Sequence, residues 1–270
     1  MRFAVLGSGS GGNATVIEAG GVRVLVDAGL SAKQICLRLK AVGIAPESLD
    51  AILLTHEHGD HVRGLRVLMK ALRTPVYATA STSHVVREGL DGIRWKIFES
   101  GGRFAIGGLE VESFAVPHDA VEPVGYVFRA AERSFGLVSD TGHITEMMLR
   151  RLRGVESLFV EANYDDALLE ADLKRPWSTK QRISSKHGHL SNAQVAEFVG
   201  GLVADGLKRV VLGHLSRDCN TPETAISALA ACGLPVCCAG QDEPCGWHEE
   251  MPACGIEFAA DELFGGLPAA

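Results

Sequence analysis

Short apolar runs, each bounded by glycine, proline or charge, punctuate this chain and predict strands at 2–6, 14–19, 22–27, 51–55, 76–79, 109–116, 124–130, 134–139, 156–161, 208–213 and 235–238. Between them, apolar positions return every three or four residues and predict amphipathic helices at 31–42, 61–72, 145–153, 191–205 and 221–232. The last opens Thr221-Pro222-Glu223, placing proline at the first helical position, where its missing N–H is not needed. Strands in both halves, interleaved with helices, predict an α/β architecture. No internal repeat is visible in the residues themselves.

The polar residues that follow these runs carry the chemistry. Residues 56–61 read His-Glu-His-Gly-Asp-His directly after the apolar run 51–55, so three imidazoles and a carboxylate arrive together at a strand's carboxyl end. Zinc, manganese and iron accept such ligands, and burying so many polar groups without a cation would be costly. The competing explanation is a solvated histidine-rich turn. Three further predicted strands also end in a candidate ligand: His118 after a proline, Asp140 before Thr-Gly, and His214 before Leu-Ser. Any one of these is most often a turn residue or helix cap. Their joint occurrence predicts one shared cavity, because layered α/β folds build sites at that edge.

Seven ligands, His56, His58, Asp60, His61, His118, Asp140 and His214, are too many for one tetrahedral ion and suit two divalent ions that share a bridge. His56 and His58 are two apart, hence on one side of an extended segment, and are assigned to the first ion with His118. Asp60 and His61 are assigned to the second with His214, and Asp140, with two oxygens to offer, bridges.

The hexapeptide is the His-x-His-x-Asp-His signature of the metallo-β-lactamase superfamily, which the chain resembles from Phe3 to about Pro222. That resemblance implies an αββα sandwich of two mixed sheets flanked by helices. It includes Asp27 in Val24-Leu25-Val26-Asp27-Ala28-Gly29, either a hydrogen-bonding buttress beneath the metals or an ordinary turn residue. The segments Gly188-His189-Leu190-Ser191-Asn192 and Gly213-His214-Leu215-Ser216 are similar to the tail of the phosphodiesterase branch that contains ribonuclease Z. Leu158 to Asn163 resembles the part of that branch carrying a glutamate paired with its extra histidine, which implies a Glu161–His189 dyad. The alternative for His189 is a polar residue flanking a helix capped by Ser191. Gly-Ser-Gly-Ser-Gly-Gly-Asn at 7–13, Pro176-Trp177-Ser178 and Lys180-Gln181-Arg182-Ile183 narrow the resemblance to the bacterial YycJ/WalJ proteins. It implies a cytoplasmic exonuclease that degrades double-stranded DNA from the 5′ end. In such an enzyme His189 would protonate the leaving sugar oxygen or clamp a phosphate oxygen, and Asp60 would orient the attacking water and receive its proton.

Composition adds limits. A chain of 270 residues with 46% hydrophobic content is long enough for one α/β domain, 1–270, ending in a Cys-rich tail, 235–270. No secretory leader and no apolar run of the roughly 20 residues a bilayer span requires are visible, so a cytoplasmic protein without membrane association is expected. Seven scattered cysteines do not form a secreted disulfide framework. Cys237, Cys238, Cys245, His248 and Cys254 could hold an accessory zinc, but their spacing is not that of a standard finger, and buried structural thiols are the simpler assignment. His84, His143 and His187 receive no ligand role.

A net charge of −7 argues against coating nucleic acid by bulk electrostatics but not against local binding. Lys174, Arg175, Lys180, Arg182 and Lys186 form a basic strip with no acid among them, and Trp177 lies inside it; phosphate neutralisation and stacking on a terminal base compete with a solvated loop. Ser8, Ser10 and Asn13 of the glycine-rich turn are weaker candidates for phosphate contact. DNA is the expected partner, with RNA as the other polynucleotide. Zinc and manganese fit the ligands equally, and oligomeric state cannot be read. A hydrolase of small phosphodiesters, lactones or thioesters, and a non-catalytic metal-bearing regulatory protein, are the competing functions.

Overall fold

The computed structural model describes residues 1–88, 90 and 92–248. Its first sheet contains β1 (Arg2–Gly7), β2 (Ala14–Ala19), β3 (Val22–Val26), β4 (Ala51–Leu53), β5 (Val76–Thr79) and β6 (Trp95–Phe98), in that spatial order. The second contains β7 (Arg103–Ile106), β8 (Leu109–Ala115), β9 (Val124–Ala130), β10 (Arg133–Val138), β11 (Ser157–Glu161), β12 (Arg209–Gly213) and β13 (Val236–Cys238), also in chain order. Each sheet opens as an antiparallel meander and continues with parallel strands. Parallel pairing needs crossover connections, which the helices supply. These are α1 (Ala32–Ala41), α2 (Gly59–Val62), α3 (Leu65–Ala71), α4 (Ala80–Val86), α5 (Glu146–Leu152), α6 (Asp166–Ala171), α7 (Trp177–Ile183), α8 (Asn192–Val203) and α9 (Pro222–Ala228).

Successive residues of a strand face opposite ways, so a strand buried on both faces feeds two cores. In β1, Phe3 and Val5 enter the layer between the sheets, while Ala4 and Leu6 pack under α1 and α3. The inter-sheet layer joins Ile17, Val24 and Leu53 to Val111, Tyr126, Phe128, Phe135 and Phe159, with the Phe3 and Phe135 rings stacked 3.9 Å apart. A third cluster lies between the second sheet and α5, α8 and α9, built on Val138, Met148, Val160, Phe198, Val199 and Leu212. The result is the expected αββα order of layers. Among the described residues no helix is long and apolar enough to cross a membrane.

The predicted helix 61–72 is divided into α2 and α3 because Gly64 passes the loop after β3: its N–H donates to Ala28 O at 2.8 Å, and a Cβ there would stand 2.1 Å from Leu30 O. The predicted helix 221–232 ends at Ala228 and finishes as a 3₁₀ turn. Two short strands, β6 and β7, and the helices α4, α6 and α7 were not predicted. Helix α7 buries no residue, so it has no apolar stripe for a periodicity argument to find. In the tail, Cys237 and Cys245 pack into the inter-sheet core, and among the described residues no metal-capable group contains a cysteine. Cys254 lies outside the described residues.

Glu112 of β8 is 1% exposed and surrounded by guanidinium groups, with Arg129 at 2.9 Å, Arg103 at 3.2 Å and Arg151 also bonded to it. Burial pushes its carboxyl up, but Arg151, Arg103 and Arg129 together hold it below the usual carboxylate range. A carboxyl depressed in this way contributes stability that is complete above its unfolded pKa and lost as pH falls through its folded one. Because the arginines are partly solvated, Glu112→Gln is expected to destabilise the protein by about 1–3 kcal/mol at neutral pH, below the roughly 3–5 kcal/mol for breaking a fully buried pair. Calorimetry from pH 7 down to pH 3 should show the wild-type advantage shrinking in acid.

Candidate metal centre

The site lies along the carboxyl ends of strands from both sheets. The end of β4 is tied across to the second sheet, where Tyr126 Oη donates to Leu54 O and Val124 N donates to Thr55 O at 3.0 Å. His56, buried to 1%, follows immediately, and His58 is the N-cap of α2, which carries Asp60 and His61. His118 follows β8, Asp140 follows β10, Glu161 ends β11 and His214 follows β12. Four non-glycine residues among those described have left-handed backbone, and three of them are Asp27 (φ 62°), Asp140 (φ 50°) and His214 (φ 53°), each one or two residues past a strand. Such backbone costs an L-residue about 1–2 kcal/mol and persists where its surroundings enforce it. Here it turns the chain sharply enough to bring ligands from separate strands into one cavity.

The ligand atoms form overlapping groups: His56, His58 and His118; Asp60, His61 and His214; His56, His61 and Asp140; and Asp140, Glu161, His189 and His214, each set with its atoms within 4.8 Å of one another. The seven ligands expected from the sequence therefore converge, and the two triplets are those that spacing assigned to separate ions. Asp140 lies between them: Oδ2 is 2.6 Å from His61 Nε2 and 3.8 Å from His56 Nε2, and Oδ1 is 2.7 Å from His214 Nδ1. Glu161 Oε2 is 2.9 Å from His189 Nδ1, and its other oxygen accepts from Thr141 N. Glu161 is buried, whereas the His189 side chain is 21% exposed, so the imidazole stands at the open side of the cavity.

The electrostatics of the pocket suit cations. Burial and the neighbouring His61 push His56 well below the usual imidazole range, and burial lowers His118. Both are thus neutral, as ligation requires. Burial opposes charge on His61 as well, but Asp140 and Asp27 overcome it and raise His61 to about 10; His214 is raised in the same sense, chiefly by Asp140. Asp140 is held well below the carboxylate range despite its burial, by His214 and His61. The buried carboxylates thus hold positive charge in the pocket. His56 Nε2 is buried without a hydrogen-bond partner, which fits a lone pair aimed at an ion.

A supporting layer fixes these ligands. Asp27 accepts from Thr55 N at 2.8 Å and Thr55 Oγ1 at 2.9 Å, and its Oδ2 lies 2.8 Å from His61 Nδ1. This is the geometry of a buttress and not of a free turn residue. Gly29, two residues on, passes the motif so closely that a Cβ would stand 1.6 Å from Asp60 O. Outer partners of this kind typically change metal affinity by about 10- to 100-fold, so Asp27→Ala should lower it by that factor in a chelator competition while the fold is retained. Asn163, for which the sequence suggested no role, donates to His214 O at 2.9 Å. A polar residue just past a strand in a buried segment was the only available signal.

Several residues expected to meet substrate are placed elsewhere. Ser8 and Asn13 are buried; Ser8 Oγ accepts from His214 N at 2.7 Å, and Asn13 Nδ2 lies 3.1 Å from His61 Nε2. They brace the ligands, and of the three turn residues only Ser10 is exposed. Three cations of the basic strip meet carboxylates, Asp172 close by in the chain and Asp218 and Asp119 distant from it. Lys174 pairs with Asp218 at 2.5 Å, Arg175 with Asp172 at 2.7 Å and Asp218 at 3.1 Å, and Arg182 with Asp119 at 2.5 Å. Lys180 donates to Glu170 O. Trp177 remains 70% exposed at the start of α7, whose other end reaches the site through His189 N donating to Ile183 O at 2.8 Å. His143 Nδ1 is 2.9 Å from Lys186 O, and His143 belongs to none of the metal-capable groups.

The model of the β-lactamase superfamily domain matches residues 22–215, a span that holds all seven ligands together with Glu161 and His189. The chain belongs to the β-lactamase superfamily. Within that superfamily it belongs with the WalJ/YycJ proteins. It is 37% identical to the exodeoxyribonuclease WalJ of Streptococcus pneumoniae over 87% of this chain and 91% of that one. It is also 37% identical to the exodeoxyribonuclease YycJ of Bacillus anthracis, over 83% and 86%. Among solved structures, PqqB from Methylobacterium extorquens superposes with a TM-score of 0.70 at 19% identity, covering 89% of this chain and 98% of that one, a likeness of fold.

Proposed function

We propose that this protein is a binuclear metal-dependent phosphodiesterase that shortens double-stranded DNA from its 5′ end. The observation that carries the reading is Asp140 standing between two histidine-containing triplets with the Glu161–His189 pair beside it. The exodeoxyribonuclease names of relatives matching most of the chain support the choice of DNA. His56, His58 and His118 would hold one zinc or manganese ion, Asp60, His61 and His214 the second, and Asp140 both. Such ions supply positive charge against the transferring phosphoryl group and lower the pKa of the attacking water.

The chain's own groups do the rest. Asp60, whose side chain is 23% exposed, orients that water and accepts its proton. Burial works against a proton on His189, but Glu161 and then Asp140 raise it above the usual imidazole range, so the ring can donate to the departing sugar oxygen. The test is digestion of duplex DNA labelled at either 5′ or 3′ end, alongside single-stranded DNA and RNA, with zinc- and manganese-loaded protein. Early release of 5′-labelled mononucleotide from the duplex is expected; first release of the 3′ label, or preferred digestion of RNA, overturns the proposal.

A further inference from the structure

Along α2 and α3, beside the histidine motif, lies a face whose cations meet no carboxylate among the described residues. From Gly59 the chain runs in helical backbone through Arg63 and Gly64 to the end of α3. Arg63, Arg66 and Lys70 recur at i, i+3 and i+7 along that helical path, Arg73 follows two residues past its end, and all four are exposed. Arg94, exposed just before β6, joins them where the stripe lines a groove of about 470 Å³ with Arg66, Lys70 and Arg73. A second hollow of about 570 Å³ shares Arg66 and continues past Arg63 to Glu57, the residue between His56 and His58. The stripe therefore leads to the metal motif.

What distinguishes this face is its partners. Arg63 donates to Gly11 O at 3.2 Å, Arg66 to Glu88 O at 3.0 Å and Arg94 to Arg73 O at 3.2 Å. Carbonyl oxygens aim a guanidinium without cancelling its charge. Among the described residues none of the five cations forms an ion pair with a carboxylate, in contrast to Lys174, Arg175 and Arg182. Among the described residues no carboxyl group lines the first groove, and Glu57 and Glu88 line the second, where Glu57 Oε1 accepts from Val121 N. From Arg63 to Lys70 the helical backbone carries three charges over about 10 Å, and Arg73 extends the row beyond its end. A duplex strand presents a phosphate about every 3.4 Å of axis, so about three phosphates span the helical part.

We propose that this stripe is the track for the sugar-phosphate backbone of the DNA duplex, which enters the metal centre from the α2–α3 side and not along the α6–α7 strip. The proposal rests on the nuclease reading. Its test is a variant with Arg66→Gln, Lys70→Gln and Arg73→Gln, compared with wild type for duplex KM, the salt dependence of duplex binding, and turnover of bis-p-nitrophenyl phosphate. Small-substrate turnover should stay within about two-fold, the duplex KM should rise at least ten-fold, and the slope of log binding constant against log salt should shrink by about two to three, near 0.9 per lost contact. Lys70→Glu alone, a change at an exposed position, should raise the duplex KM several-fold. Wild type that degrades duplex while the variants keep its KM and salt slope overturns this proposal alone; wild type that neither binds nor degrades nucleic acid overturns the nuclease reading with it. Weaker binding with an unchanged salt slope also sinks it, since the lost contacts would not be to phosphates.

Discussion

Asp140→Ala is expected to eliminate phosphodiester turnover and release metal, with a rate loss of at least about 10³-fold, or roughly 4 kcal/mol of transition-state stabilisation. Its carboxylate lies within 3.8 Å of His56, His61, His189 and His214. Removing it leaves two sets of imidazoles with no shared anion, so ions would repel one another across the gap. The substitution also alters a left-handed turn, with φ of 50°. Asp140→Asn separates these effects, because asparagine tolerates that backbone but offers no negative charge. Metal analysis by plasma mass spectrometry and initial rates on DNA should show both variants depleted and inactive. Full metal content with a tenth or more of the wild-type rate in Asp140→Asn would remove the bridging assignment.

His189→Ala should behave differently: both ions retained, turnover of DNA reduced by about 10²- to 10⁴-fold, the range for loss of a general acid. The two triplets do not include His189, which instead touches Glu161 at 2.9 Å and stands at the open side of the cavity. A substrate whose leaving group departs as a stable anion needs little protonation, so bis-p-nitrophenyl phosphate should lose less rate than DNA. A merely structural role would depress both substrates equally. Glu161→Gln keeps the imidazole but weakens its hold on the proton and should give a smaller loss with the same substrate dependence. A His189→Ala protein that is folded but metal-free would contradict the assigned role.

The candidate ligand set was legible in the residues for a local reason. Strand-length apolar runs that each stop at a histidine or aspartate place that side chain at a sheet's carboxyl edge, and four such stops converge. Asp27 was ambiguous until its contact with His61 was seen, because an aspartate in a turn and an aspartate under a ligand have the same sequence surroundings. Likewise Ser8 and Asn13, exposed to inspection as part of a glycine-rich turn, are buried against His214 and His61.

The amino-acid order by itself determined the layered α/β class, the motif His56 to His61 and the further candidate ligands, since hydrophobic period and contiguous spacing are properties of neighbouring residues. Only the tertiary structure decided which cations are available to a polyanion. Lys174 meets Asp218 across 44 positions and Arg182 meets Asp119 across 63, while among the described residues Arg66 and Arg94 find carbonyl oxygens and no carboxylate. Whether a charge is neutralised depends on what lies within a few ångströms of it, and folding brings those neighbours from far along the chain.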